Sequence, residues 1–383
     1  MRDPFPIPPP PALVKAITPL ADVLSLDSLP LHAHEVIFAF SLYTFVFLVV
    51  SPAISRLVVP ERYKAFSPRT RIGWDVHIVS FVQSVIICAL SLYVIFVDEE
   101  RKSWRPWGEW ESRLWGYSGM SGMCQSFALG YFLWDLWMCT YHLNIFGWGM
   151  LAHAISAVTV FALGYRPFVY FYCPVFLLYE LSSPFLNIHW FCDKLSMTGS
   201  TVQAINGAFL TVTFFLCRIC WGTYSSFRVA TDVYRAIQAG QSEPLSAAAA
   251  HQIRRIDPSL YYASDAKQRA AFISSSHLPL WMAGAYVASN LTLNMLNVYW
   301  FGKMIETIRS RFNPPFGTKG TVPSRVPKDP KDHVPTDLSS AVDAMNGAAE
   351  DDNIKVSRSL DADGMTTVEV SGTQRKSARS RKA

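Results

Sequence analysis

Residues 74–97 read WDVHIVSFVQSVIICALSLYVIFV. The stretch contains no glycine or proline, and Asp75 is its only charged residue. As an α-helix rising about 1.5 Å per residue it crosses the ~30 Å hydrocarbon core of a bilayer. A cluster of charge follows at once: Asp98, Glu99, Glu100, Arg101 and Lys102. A long apolar run that stops on charge is the pattern of a membrane span rather than of one helix in a large soluble core.

The same pattern recurs along the chain. Spans are expected at 34–59, 74–97, 120–141, 148–165, 168–187, 201–227 and 280–308, giving an all-α fold, a multi-pass transmembrane helical bundle of about seven spans. Composition agrees, with 50% hydrophobic and only 16% charged residues against about 25% charged in an average soluble domain. Only Arg166 and Pro167 separate the fourth and fifth spans, which predicts a tight hairpin, and Pro174 and Pro184 are expected to kink the fifth. Residues 1–33 are Pro-rich. Pro4, Pro6 and the run Pro8 to Pro11 cannot form the apolar helix of a cleaved signal, so the first span is expected to insert uncleaved.

Residues 34–70 comprise that span and a basic loop. Arg56, Arg62, Lys64, Arg69 and Arg71 follow the span, with only Arg2 and Lys15 ahead of it. This implies a luminal N-terminus and a cytosolic C-terminus, because the first helix usually dominates orientation. The whole-chain basic balance runs the other way, mainly because of residues 228–279, but long segments obey the rule poorly. In that loop Ala247 to Ile256 and Ser264 to Ile273 look helical around a break at Asp257-Pro258. It reads as an interfacial hairpin or an insertion. The tail 313–383, rich in Pro, Ser, Asp and Lys without an apolar period, is expected to be disordered and cytosolic. It ends in the basic residues Arg375, Lys376, Arg379, Arg381 and Lys382.

Ionisable groups in hydrocarbon are costly and mark functional sites by default. At ~1.5 Å per residue, Asp135, His153, Glu180 and Asn206 all fall about 8–10 Å from the same membrane face. Tyr131, Asp135, Met138 and His142 share one helical stripe. Glu180, Ser183, Pro184 and Asn187 share another, and Asn290, Asn294 and Asn297 a third. These stripes are expected to line a common cavity near the cytosolic leaflet. The candidate catalytic residues are His153, Asp135 and Glu180, and the candidate lipid-binding residues are His142, Ser183, Asn187, Asn206, Asn294 and Asn297. A His153–Glu180 pair fits either a general base for acyl transfer or a buried ion pair between helices. Asparagines of this kind also join membrane helices by hydrogen bonds. Arg218 is expected to snorkel toward the luminal interface.

Other chemistries find little support. The seven cysteines lie in or beside apolar segments and suggest no disulfide framework. Cys217 and Cys220 form a CxxC inside a helix with Phe214, Phe215 and Trp221, which reads as small buried hydrophobes. His142 and His153 lie on different helices with no further ligand pattern, so no metal and no cofactor are expected. There is no phosphate loop and no nucleophile elbow. Nucleic acid is not an expected partner, and nothing sets the oligomeric state.

The segments GYFLWDL (130–136), MLAHAIS (150–156) and YELSSPFLNIHW (179–190) resemble the TLC domain, shared by translocon-associated membrane proteins, ceramide synthases and small TLC domain-containing proteins. The ELSSPFLN stretch is most similar to the small-protein branch. The resemblance places the domain at 71–312, with 228–279 as an insertion. It implies an endoplasmic reticulum membrane protein of lipid homeostasis, binding an acyl lipid in its helical cavity, with membrane lipids as partners. Two alternatives come with it: a ceramide-synthase-like lipid N-acyltransferase using acyl-CoA, and a secretory-pathway cargo receptor or trafficking factor. The family's paired histidines in a membrane helix are matched here by His153 followed by Ala154.

Overall fold

The computed structural model describes residues 3–24, 26–166, 168–242, 278, 280–311, 355–360 and 366–371. Twelve helical elements make up the bundle among them. Helix α1 spans Pro11–Leu24, α2 Leu29–Val58, α3 Pro60–Ala65, α4 Pro68–Val97, α5 Glu99–Ser103 and α6 Trp110–Trp115. They are followed by α7 Gly119–Tyr141, α8 Leu143–Leu163, α9 Cys173–Leu177, α10 Ser183–Lys194, α11 from Thr201 to Ser242, and α12 Leu280–Arg311.

Several helix starts follow from local chemistry. Ser67 accepts a hydrogen bond from the Thr70 N–H, with Pro68 in the first turn, and Ser200 accepts one from Gln203 N–H. A side-chain oxygen at the cap satisfies an N–H that the helix cannot, and a proline just inside the start has no N–H to leave unpaired. Helix α2 carries a π-helical turn at Val46–Val50, just ahead of Pro52, where the missing N–H breaks the regular ladder.

Among the described residues, four helices are long and apolar enough to cross a membrane by length and composition: Leu29–Val58, Pro68–Val97, Leu143–Leu163 and Thr201–Ala239. Their outer faces bear apolar stripes at helical spacing. Val202, Ile205, Phe209, Val212 and Leu216 on α11 are each more than half exposed, as are Leu291, Met295 and Val298 on α12. Exposed apolar area of this extent is tolerated in lipid and not in water. The membrane bundle is all-α.

Three of the seven expected spans look different in three dimensions. Helix α7 matches 120–141 closely, but protein surrounds it: nearly every residue from Gly119 to Phe132 is buried, between α2, α4 and α8. Enclosed this way, it has no need of an all-round apolar surface. Gly130 permits the closest approach, since a Cβ there would meet Ala39 Cβ at 2.6 Å and the Val36 carbonyl at 2.7 Å. Helix α12 also reaches full length, and packs on α8. The expected fifth span, 168–187, is broken into short pieces. A 3-10 turn at Tyr170–Tyr172 leads into α9, a second 3-10 segment covers Leu178–Ser182, and α10 follows. Pro174 and Pro184 sit in the first turns of α9 and α10 rather than inside a kinked helix.

Other boundaries moved as well. Helix α8 begins at Leu143 and bends at Gly147, whose φ of 75° requires glycine. Helix α11 does not end at 227. It runs from Thr201–Phe214 through a π-helical segment, Phe215–Cys220, into Trp221–Ser242. Its last turns pack on α6. There Arg113 and Asp232, both fully buried, form an ion pair at 2.7 Å, and the Tyr172 hydroxyl donates to the same carboxylate at 2.5 Å. Burial works against the Arg113 charge, but the Asp232 pair outweighs it and holds the Arg113 pKa above its ordinary value. The Pro-rich start contains a helix, α1, which packs on α2. The helices read at Ala247 to Ile256 and Ser264 to Ile273 lie outside the described residues. In the tail, two strands, β1 Lys355–Leu360 and β2 Thr366–Ser371, pair antiparallel where no regular element was expected.

Candidate functional site

The broken fifth segment shapes the site. A 3-10 stretch leaves backbone groups outside a regular helical ladder, and at membrane depth such backbone is tolerated only where protein satisfies it. The Tyr179 carbonyl is one such group. Arg218, from the π-helical segment of α11, donates its Nε–H to that carbonyl at 3.0 Å and to Ser182 Oγ at 3.0 Å. Its Nη2 reaches Glu180 Oε1 at 3.3 Å and Ser183 Oγ at 3.1 Å. Its Nη1 donates to Asn297 Oδ1 on α12 at 3.2 Å. Ser183 in turn donates to Glu180 Oε2 at 2.7 Å. One guanidinium therefore ties three chain segments together, its charge balanced by Glu180. Arg218 is only 5% exposed, so it does not snorkel. Because α11 continues to Ser242, the residue sits near mid-helix instead of near an end.

This network forms one side of a cavity of about 50 Å³. His153, Glu180, Arg218, Asn290 and Asn297 supply polar groups beside Tyr179 and Tyr286, and Phe132, Phe161 and Leu293 are among the apolar side chains that wall it. The His153 ring lies edge-on to Phe132 and tilted against Trp300, with centroids 6.5 and 5.8 Å away. Its Nδ1 has no hydrogen-bond partner. Among the described residues no hydrogen bond or ion pair joins His153 to a carboxylate. The anticipated His153–Glu180 pair is replaced by Glu180–Arg218, a stronger claim on the carboxylate because the guanidinium keeps its charge at any depth.

The structure thus brings His153, Glu180 and Asn297 together, with Ser183 in the supporting network. The other expected site residues go elsewhere. Asp135 is buried on α7, where it accepts a long contact from Cys139 Sγ at 3.7 Å, and it does not line the cavity. His142 falls just past the end of α7, with non-helical φ and ψ, and so leaves the stripe it was assigned to. It is half-buried beside Phe146 and Tyr141, and burial lowers its pKa. Asn187 accepts from His77 Nδ1–H at 2.7 Å and donates to Ser80, joining α10 to α4. Asn206 donates to the Phe185 carbonyl at 2.8 Å, and Asn294 donates to Ser226 at 3.0 Å. These three act as interhelical hydrogen bonds. All seven cysteines are free thiols. Cys217 is buried and Cys220 exposed, so the CxxC does not act as a unit.

Arg218 is the site residue that sequence reasoning misjudged. Its signal was present, as the one arginine within the sixth apolar run, but the run's assumed end put it near the interface. Asn290 was read as part of a stripe and not as a site residue, although it lines the cavity.

Comparison with known proteins agrees on one domain. A family model described as the TLC domain matches residues 73–306. An uncharacterized TLC domain-containing protein of Schizosaccharomyces pombe is 33% identical over 82% of this chain and 91% of its own length. Topoisomerase I damage affected protein 4 of Saccharomyces cerevisiae is 28% identical over 74% of this chain and 86% of its own. TLC domain-containing protein 4 of Homo sapiens is 30% identical over 47% of this chain and 66% of its own. No solved structure matches.

Proposed function

The chain belongs to the TLC-domain family, and we propose that it acts in membrane lipid homeostasis by binding an acyl lipid at the cavity beside Arg218. The observation that carries this reading is the lining itself: a compact polar group of His153, Glu180, Arg218, Asn290 and Asn297 set against aromatic and aliphatic walls. An amphipathic ligand needs both kinds of surface, and apolar sites with a few placed polar groups are how proteins bind one. About 50 Å³ takes a polar group or a short run of methylenes, so the rest of the acyl chain would lie along the apolar outer faces of the bundle. With the N-terminus luminal, as the basic residues behind the first span imply, the cavity belongs to the cytosolic half of the bilayer. The endoplasmic reticulum is the membrane we propose for it.

One observation favours a second reading, lipid N-acylation with acyl-CoA. His153 Nδ1 is unpartnered, and an imidazole held without a competing hydrogen bond is available as a base. Against it, Glu180 is committed to Arg218 and Ser183 and does not orient the ring.

Lipid profiling of cells lacking the protein, beside cells carrying His153→Ala, tests both readings. The expected result is one shared shift in acyl-lipid composition. Two profiles identical to wild type would overturn both. A purified-protein assay with acyl-CoA and a long-chain base then separates them: turnover abolished by His153→Ala selects the enzyme, and binding without turnover selects the lipid-binding protein.

A further inference from the structure

Away from the cavity, where α2 begins, three ligating side chains meet in a closed pocket. Asp3 comes from the segment ahead of α1, and His32 and Glu35 from the first turns of α2. Asp3 is 6% exposed, and His32 and Glu35 are fully buried. His32 Nδ1 lies 2.9 Å from Glu35 Oε2 and 3.3 Å from Asp3 Oδ2. One ligand atom from each residue falls within 4.8 Å of the others. We infer that Asp3, His32 and Glu35 form a binding site for a divalent transition-metal ion, of the zinc or manganese class.

Charge balance is the first argument. Two carboxylates in a pocket closed to water face one imidazole, so even with His32 protonated one carboxyl must hold a proton, or the group a cation, for the pocket to be neutral. Buried charge without compensation is costly. A divalent cation with a neutral imidazole and two carboxylates balances. The second argument is hydrogen bonding. Asp3 Oδ1 accepts from the Phe5 N–H at 2.8 Å, but Asp3 Oδ2 and Glu35 Oε1 accept no hydrogen bond although both are buried. Those are the atoms an ion would occupy. The third is outer support. His32 Nε2 is 2.8 Å from the Tyr117 hydroxyl, an outer contact of the kind that orients a metal-ligating imidazole.

The spacing fits. Donors each about 2.0 Å from a tetrahedral ion lie about 3.3 Å apart, the separation of His32 Nδ1 from Asp3 Oδ2, with one ligand atom of Glu35 within 4.8 Å of both. One nitrogen and two oxygen donors suit zinc or manganese better than magnesium or calcium, which take oxygen alone. The surrounding helix makes room for it. A Cβ on Gly122 of α7 would overlap the His32 ring, and one on Gly119 would meet the Asp3 N–H at 2.6 Å. Besides Tyr117, the titratable group facing the cluster is His34, whose Nε2 is 3.9 Å from Glu35 Oε1 and bonded to the Ile7 carbonyl at 2.8 Å. The ion would pin the N-terminal segment to α2 and α7, and this assignment stands apart from the lipid reading.

The test uses the full chain, purified in detergent, stripped with chelator and desalted after incubation with zinc, manganese or magnesium chloride. Elemental analysis should find one equivalent of zinc or manganese per chain, with magnesium not retained. Cobalt(II) should add a visible ligand-field band. His32→Gln and Glu35→Gln should weaken retention at least tenfold. Where either variant elutes as an aggregate, Asp3→Asn decides, because Asp3 lies outside the helices and its loss leaves the bundle intact. Wild-type protein without a stoichiometric ion overturns the site, as does an Asp3→Asn protein that holds the ion as tightly as wild type.

Discussion

Arg218 illustrates what one side chain does inside a membrane bundle. Its five donated hydrogen bonds serve a freed carbonyl, two serines, a carboxylate and an asparagine. Breaking a buried pair by removing one partner costs about 3–5 kcal/mol. Arg218→Leu should therefore lower the thermal unfolding midpoint strongly in detergent. Glu180→Leu combined with Arg218→Leu should recover part of that loss and not all of it, because the Tyr179 carbonyl and Asn297 Oδ1 still lose the donor that Arg218 gave them. His153 gives the opposite expectation. With no partner at Nδ1 it contributes little to stability, and His153→Phe should change the unfolding free energy by less than about 1 kcal/mol. A large loss in that variant would show that the ring carries a structural bond after all.

At the scale of elements, the prolines of the fifth segment behave as helix starts. Pro184 occupies the first turn of α10, where no N–H is needed, so Pro184→Ala should alter stability by less than about 1 kcal/mol; a proline inside a helix is worth about 3 kcal/mol of disruption. The contact of α2 with α7 is less forgiving. Gly130→Leu would drive a side chain into Ala39 and the Val36 carbonyl, and overpacking of this sort costs about 1–3 kcal/mol. Loss of a monodisperse elution peak is the expected readout. The extension of α11 is held by Asp232. Asp232→Ala leaves Arg113 buried and unpaired, which should cost about 3–5 kcal/mol. Hydrogen exchange should show opening confined first to α6 and the end of α11, the two elements that the pair joins.

For the whole molecule, the arrangement of crossings is the open consequence. An odd number of crossings puts the two ends of the chain on opposite faces, and the orientation proposed above makes the N-terminus the luminal one. A tag before α1 should then resist protease in sealed microsomes, while a tag after Ala383 is digested. Digestion of both tags would require an even number of crossings.

The sequence alone determined that this chain is a helical membrane protein. Apolar length, charged stops and helix caps are local properties, legible from one residue to its near neighbours. It also carried the family resemblance, and His153, Glu180 and Asn297, which the structure gathers at one cavity. What it did not contain was which polar group meets which. Helical spacing assigned Asp135 and His142 to the same stripe, but the stripe ends where the helix does, at Tyr141. Asn187, Asn206 and Asn294 had the right depth and the wrong direction; each turns to a neighbouring helix for its hydrogen bond. Arg218 moved from interface to interior because α11 runs past the point where hydropathy falls. Asp3, far from His32 along the chain, reaches it because two glycines of a third helix leave the space. Depth follows from counting residues along one helix. Pairing depends on rotation about each helix axis and on contacts between segments distant in sequence, and only the packed fold fixes those.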